Sequence, residues 1–219
     1  SGGGTGIATI SATVNDLGNT GSGGNLTDSV NVSIDVIAGN TGATITGTAA
    51  GETLNSTGLN EVIFGGFGDD TINILGELAN TARGGHGDDT IRINNLNAVE
   101  IHGGVGEDTV VLLTAAHNNI SLKDNLHGIE KIDMSPDGGN STIVLSSSMI
   151  ANNLARDNDD VTQEHHLYIK GNNGDVVDFS DNGWIDTGSD VTYDSNTYSI
   201  YKNANSQETV AITDAVTVT

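Results

Sequence analysis

Cysteine is absent from the chain's 219 residues, which removes disulfides and thiolate metal sites as sources of stability and is compatible with life outside the cell. Proline occurs once and aromatic residues make up 4%, whereas glycine occurs 30 times among many Thr, Val, Ile and Asn; this composition predicts short strands joined by tight turns and little helix. Lysine and arginine number only 7 against 29 acidic residues, a formal charge of -22, so nucleic acid and anionic membranes are excluded as partners and cations are favoured. No apolar run is long enough for a membrane-crossing helix, so direct membrane insertion is not expected. The glycine-rich N-terminus lacks the charged-then-apolar pattern of a signal peptide and reads as the start of an excised piece.

Residues 6–14 (GIATISATV) and 29–37 (SVNVSIDVI) alternate apolar and polar side chains around a Gly/Asn/Ser-rich stretch, the pattern of two antiparallel strands. Two strands cannot bury both faces. Residues 1–42 are therefore expected either to be the closing strands of an immunoglobulin- or cadherin-like repeat, the favoured reading, or to pair with later strands of the chain.

Beyond them one interval dominates. GGFGDDTIN at 65–73 returns as GGHGDDTIR at 84–92 and GGVGEDTVV at 103–111, nineteen residues apart each time. Repetition at this period means stacked coils, and superposition at that offset aligns three apolar ladders. They are Ile72–Ile91–Val110, Ile74–Ile93–Leu112 and Ile63–Ala82–Ile101–Ile120. A degraded coil begins at 47 (GTAAGETLN), with Glu52 in the acidic slot. The opposite turns, LGELAN and NNLNAV, lack the glycine-aspartate pattern, so one edge of the stack carries the chemistry.

A turn whose carbonyls converge needs positive φ, which glycine adopts with little strain. Gly65, Gly66 and Gly68 supply such a turn, Asp70 adds a carboxylate, and Gly84, Gly85, Gly87 and Asp89 repeat the arrangement one coil on. Oxygens of this kind form a cage for calcium, which takes roughly six to eight oxygen ligands at about 2.3–2.6 Å. Phe67, His86 and Val105 share the third slot, and such dissimilar side chains leave only their backbone as donor. Asp69, Asp88 and Glu107 in the fifth slot are expected to be solvated.

The nine-residue pattern Gly-Gly-x-Gly-x-Asp-x-apolar-x resembles the RTX repeat of bacterial proteins exported by type I secretion, over about residues 47–111. The resemblance implies an all-β fold: a parallel β-roll, the RTX-type solenoid, at 43–128, flanked by antiparallel β-sandwich-like segments, with a β-rich capping module at 129–219. It also implies calcium held by Gly65, Gly66, Phe67, Gly68 and Asp70, by Gly84, Gly85, His86, Gly87 and Asp89, and by Gly103, Gly104, Val105, Gly106 and Asp108. Two ions are expected, between 65–70 and 84–89 and between 84–89 and 103–108, and a third place is open at Glu52. Tandem nonapeptides of the family carry a loop on both edges; the nineteen-residue interval departs from that and leaves one edge bare.

Further along, GIEKIDM (128–134), STIVLS (141–146), LYIKG (167–171) and DVVDF (175–179) read as strands, SSSMIANNLA as a helical turn or two, and VTYDSNTYSIYKN with TVAIT and AVTVT as antiparallel hairpins. The lone Trp184 reads as core of the cap, His165 and His166 as solvated, and RDNDD (156–160) as a solvated loop. No nucleophile elbow, cysteine nucleophile, HExxH helix or phosphate loop is present, so no catalytic activity is expected. The expected function is a calcium-stabilised structural or adhesive segment of a large secreted or cell-surface protein of a biofilm-forming kind, with neighbouring repeats as partners and a possible cell-surface or glycan ligand. The rival readings are a carbohydrate- or peptide-binding module and the calcium-binding tail of a secreted RTX enzyme.

Overall fold

Parallel pairing of strands a whole coil apart organises most of the chain. The computed structural model describes residues 6–15, 27–36, 42–75, 80–94, 99–113, 120–121, 125–138, 140–154 and 166–219. It divides into two units, Ser1–Asn40 and Thr41–Thr219. The first holds β1 (Gly6–Asn15) and β2 (Thr27–Val36), antiparallel in an unbroken register from Gly6 opposite Val36 to Asn15 opposite Thr27. The two antiparallel strands expected here are present, paired with each other, and the Gly/Asn/Ser-rich stretch between them lies largely outside the described residues.

In the second unit, short strands alternate between two sheets. β3 (Thr44–Thr46), β5 (Val62–Phe67), β7 (Asn80–His86), β9 (Val99–Val105) and β12 (Leu126–His127) form one parallel sheet. β4 (Thr53–Asn55), β6 (Thr71–Ile74), β8 (Thr90–Ile93) and β10 (Thr109–Leu112) pair in parallel in a larger one. β6 and β8 bury alternate residues, as the period of two requires. Ile72 faces Ile91, Ile91 faces Val110, and Ile74 faces Ile93, all fully buried, so the two ladders expected on this side are present. The overall class, mostly β with parallel sheets, agrees with the expectation from composition and interval.

The third ladder needs correcting. It runs Ile45, Ile63, Ala82, Ile101 and then Leu126, not Ile120. Ile120 belongs to β11 (Ile120–Ser121), which pairs with a different sheet. The interval lengthens after 112, so the next inward residue on this sheet arrives six positions later than the repeat would place it.

The antiparallel capping module is corrected as well. β13 (Lys131–Asp133), β15 (Leu167–Lys170) and β19 (Thr209–Thr213) extend the larger sheet in parallel, continuing one apolar row through Val110, Ile132, Ile169 and Ile212. β14 (Thr142–Leu145), β16 (Val176–Phe179) and β20 (Thr217–Val218) join β11 in a third parallel sheet. Among the described residues of the second unit, only β17 (Trp184–Tyr193) and β18 (Asn196–Asn203), with β18 against β19, are antiparallel. Their turn residues Asp194 and Ser195 have φ of 48° and 60°, the left-handed pair of a tight hairpin. Helix α1 (Ser147–Leu154) starts at Ser146, whose Oγ accepts the Met149 N–H at 3.3 Å.

A row continuous through irregular spacing makes its later rungs as important as its early ones. Ile132→Ala is expected to destabilise the second unit by about 2–5 kcal/mol, the cost of emptying a closed apolar site, and to match Ile91→Ala. Denaturant unfolding of both variants checks this; a loss for Ile132→Ala within the range of surface substitutions contradicts the continuous row.

Candidate metal centre

The turn from β5 to β6 contains Gly65, Gly66, Phe67, Gly68, Asp69 and Asp70, and its glycines answer two different needs. Gly66 and Gly68 have φ of 115° and 95°, a region that strains L side chains. Gly65 lies outside that region, but a Cβ on it would sit 2.4 Å from Asp70 Oδ2 and 2.5 Å from the Gly84 carbonyl oxygen. The hydrogen-only Cα lets a carboxylate oxygen of one coil and a carbonyl oxygen of the next crowd the same spot. Gly84 repeats this with Asp89 Oδ2 at 2.1 Å and the Gly103 oxygen at 2.6 Å. Gly103 does so with Asp108 Oδ2 at 2.3 Å and the Gly128 oxygen at 1.9 Å.

The three aspartates are fully buried, with at most 1% exposure. Their Oδ1 atoms form a chain running back along the stack. Asp70 accepts the Glu52 N–H, Asp89 the Asp70 N–H and Asp108 the Asp89 N–H, each at 2.8 Å. Glu130 Oε2 closes the chain by accepting the Asp108 N–H at 2.7 Å. Their Oδ2 atoms are different: among the described residues, none of the three has a hydrogen-bond partner. A buried carboxylate oxygen facing carbonyl oxygens is unfavourable by several kcal/mol unless a proton or a cation neutralises it.

Other acids of the stack show that this is not a general habit. Buried Asp175 accepts the Ser141 N–H through Oδ1 at 3.0 Å and the Asn172 N–H through Oδ2 at 2.7 Å. On the opposite edge, Glu61 accepts the Thr57 N–H and hydroxyl, both at 2.8 Å, and its own N–H bonds the neutral Asn80 amide oxygen at 2.9 Å. Glu52 accepts the Thr48 N–H at 2.6 Å and the Thr48 hydroxyl at 2.5 Å. Both oxygens of the degraded coil are thus engaged locally, and the third orphaned carboxylate is Asp108, facing Gly128, rather than Glu52.

Burial pushes the Asp89 carboxyl up to about 6; the Asp70 N–H bond opposes this, and the nearby Asp70, Asp69 and Asp88 charges add to it. Burial likewise pushes Asp108 up to about 8, against the Asp89 N–H bond and with repulsion from Glu130, Asp89 and Asp88.

The fifth-slot acids are exposed, as expected for Asp69, Asp88 and Glu107, yet they also bind the next coil. Asp69 Oδ1 accepts the Asp88 N–H and Asp88 Oδ1 the Glu107 N–H, both at 2.9 Å. Glu107 accepts the Tyr193 hydroxyl at 2.5 Å, tying the β17–β18 hairpin to the third turn. The third slot has a side-chain role that its variety concealed: the Phe67 and His86 rings stack 4.7 Å apart at 7°. The backbone carbonyls of His86 and Val105 accept the N–H of Gly68 and Gly87, each at 2.8 Å, so in this slot the backbone bonds coil to coil.

Sequence reasoning missed Gly128 and Glu130, which complete the last turn. Their only signal is the glycine and acid of HGIEK, at a distance from Gly103 that breaks the interval. His166, expected to be solvated, is buried, its Nδ1 2.7 Å from the Thr209 hydroxyl. Trp184 is half-buried, stacked 4.2 Å from Phe179, and donates its indole N–H to Asp181 at 2.8 Å. His165 and RDNDD lie outside the described residues. The donors of the glycine-aspartate edge, carbonyls plus three unpaired carboxylate oxygens, are hard oxygens and fit a calcium-type cation.

The raised carboxyls set a pH dependence for protein stripped of divalent cations. Folded values near 6 and 8 exceed the usual unfolded value of about 3.9, so the native state binds more protons between them and stability falls as pH rises through that window. The stripped protein is expected to melt at a higher temperature at pH 5 than at pH 8. Asp108→Asn is expected to remove much of the difference, because an amide needs no proton there. Calorimetric melts of both proteins across pH 4–9 check the sign; a stripped protein most stable at pH 8 contradicts it.

Neither a family model, nor a curated protein, nor a solved structure matches this chain; the arrangement of its own oxygens is what speaks for an ion.

Proposed function

We propose that the second unit is an RTX-type parallel β-roll that calcium completes, and that it serves as a structural, adhesion-supporting segment of a secreted or surface-attached bacterial protein. The observation that carries this reading is the row of three buried Oδ2 atoms at Asp70, Asp89 and Asp108, each unpaired and each beside a carbonyl of the following coil. Asp70 with the 84–89 turn and Asp89 with the 103–108 turn supply the two ion positions expected from the repeat. Asp108 with Gly128 supplies a third. Bound calcium contributes the positive charge that these oxygens lack. The chain contributes the positive-φ glycines that aim the carbonyls and the Oδ1 bonds that hold each carboxylate in place.

An ion bound only by the folded coil shifts folding by mass action, by about 2.7 kcal/mol per site at a hundredfold excess over Kd. The net charge of -22 opposes compaction until cations are present. Such a segment stays open where calcium is scarce and closes where it is abundant, which suits a protein that folds after export. No enzymatic role is proposed.

A carbohydrate-binding role is a second reading with one observation in its favour, the groove where Phe179, Trp184 and Tyr201 lie beside Asp181 and Asp186. Glycan arrays of the segment against its Trp184→Ala variant separate this reading from a purely structural one.

Circular dichroism and titration calorimetry of calcium into stripped protein at pH 7.5 test the main reading. Calcium is expected to raise the β signal and the melting temperature. Magnesium at the same concentration is expected to do much less, since it demands octahedral geometry at about 2.0–2.1 Å. Asp89→Ala, in the middle of the row, is expected to lose bound calcium and to melt lower in its presence. A full β signal and an unchanged melting temperature with and without calcium would overturn the proposal.

A further inference from the structure

The outer face of the five-stranded sheet carries a second donor cluster, of a different chemistry. Parallel pairing of β9 with β12 sets His127 directly beside His102, and Glu100 lies two residues before His102 on the same face of β9. His102 Nε2 donates to Glu100 Oε1 at 2.7 Å, and the His102 and His127 rings lie 4.6 Å apart at 30°. One donor atom from each of the three side chains falls within 4.8 Å of the other two.

We propose that Glu100, His102 and His127 form a binding site for a borderline divalent transition cation, zinc above all.

The chemistry of the donors argues for that class of ion. Two imidazole nitrogens and one carboxylate suit zinc, nickel or copper, whereas calcium prefers an all-oxygen set. A tetrahedral zinc with bonds of about 2.0–2.1 Å needs its ligands about 3.3–3.4 Å apart. The observed span comes within reach of that by side-chain rotation alone, with the backbone already in register. On binding, the N–H that His102 donates to Glu100 gives way to the metal, and the carboxylate turns from acceptor to ligand.

The cluster extends beyond a surface His–Glu ion pair, because register brings a second imidazole onto the first. His127 is only 8% exposed and stacks on a second imidazole. The Glu100 side chain is 52% exposed, which leaves the fourth coordination position open to solvent. A metal here joins β9, the last strand of the regular repeat, to β12, the first of that sheet after the interval breaks. None of these residues belongs to the glycine-aspartate turns, so the inference stands independently of the calcium reading.

The test is titration of zinc alone into the full chain in buffer already holding saturating calcium, followed by calorimetry and by imidazole 15N NMR. One zinc per chain is expected, with 15N shifts at His102 and His127 and an increase in melting temperature. His127→Gln and Glu100→Gln are each expected to weaken binding at least tenfold, while His165→Gln leaves it unchanged. Where His127→Gln fails to fold, the exposed Glu100→Gln and the wild-type NMR shifts decide. The proposal is overturned by the absence of saturable zinc binding, by unchanged affinity in Glu100→Gln, or by shifts centred on other histidines. Any of those results leaves the calcium response of the turns untouched.

Discussion

One-to-one parallel registration of each coil on its neighbour is the constraint from which the rest follows. Strands about 4.8 Å apart bring equivalent residues into contact, so whatever occupies a position is repeated up the stack. For inward apolar residues this is favourable at every step: Ile72, Ile91, Val110, Ile132, Ile169 and Ile212 form one closed row. For acids it is unfavourable, because like charges are placed side by side in a poorly solvated interior. The same geometry therefore builds the core and creates the electrostatic demand at Asp70, Asp89 and Asp108. A protein with this backbone cannot have the first without managing the second.

How the demand is managed differs along the stack. Where a backbone N–H or a threonine is in reach, as at Asp175, Glu61 and Glu52, both carboxylate oxygens find donors within the chain. In the glycine-aspartate turns the Oδ2 atoms of Asp70, Asp89 and Asp108 meet the carbonyls of Gly84, Gly103 and Gly128 in place of donors. On the outer face of the other sheet, registration stacks imidazoles rather than carboxylates, giving softer donors at a distance from the hard ones. Two kinds of donor cluster thus arise from a single rule of stacking applied to different side chains.

Much of this was legible in the sequence. The interval identified the coils, the inward ladders through Ile72 and Ile74, and the aspartates that the structure buries. It failed where spacing became irregular: Ile120 was assigned to a row that Leu126 occupies, and the strands after residue 121 were expected to cap the stack rather than extend it. Pairing depends on an inward apolar residue at the right height, which loops of any length can deliver, so a fixed period is sufficient evidence of a coil but not necessary. Gly128 and Glu130 were hidden for the same reason. His102 and His127 were invisible because their proximity is a matter of register between strands that the interval does not relate.

The chain of Oδ1 bonds has a direction. Asp89 serves the N–H of Asp70, Asp108 that of Asp89, and Glu130 that of Asp108. Every coil thus leaves one main-chain donor for its successor to satisfy, and none is complete by itself. During synthesis the earlier coils emerge first, yet each must wait for residues not yet made. A stack that ended before residue 130 would therefore leave the Asp108 N–H, in the last of the regular turns, without its acceptor.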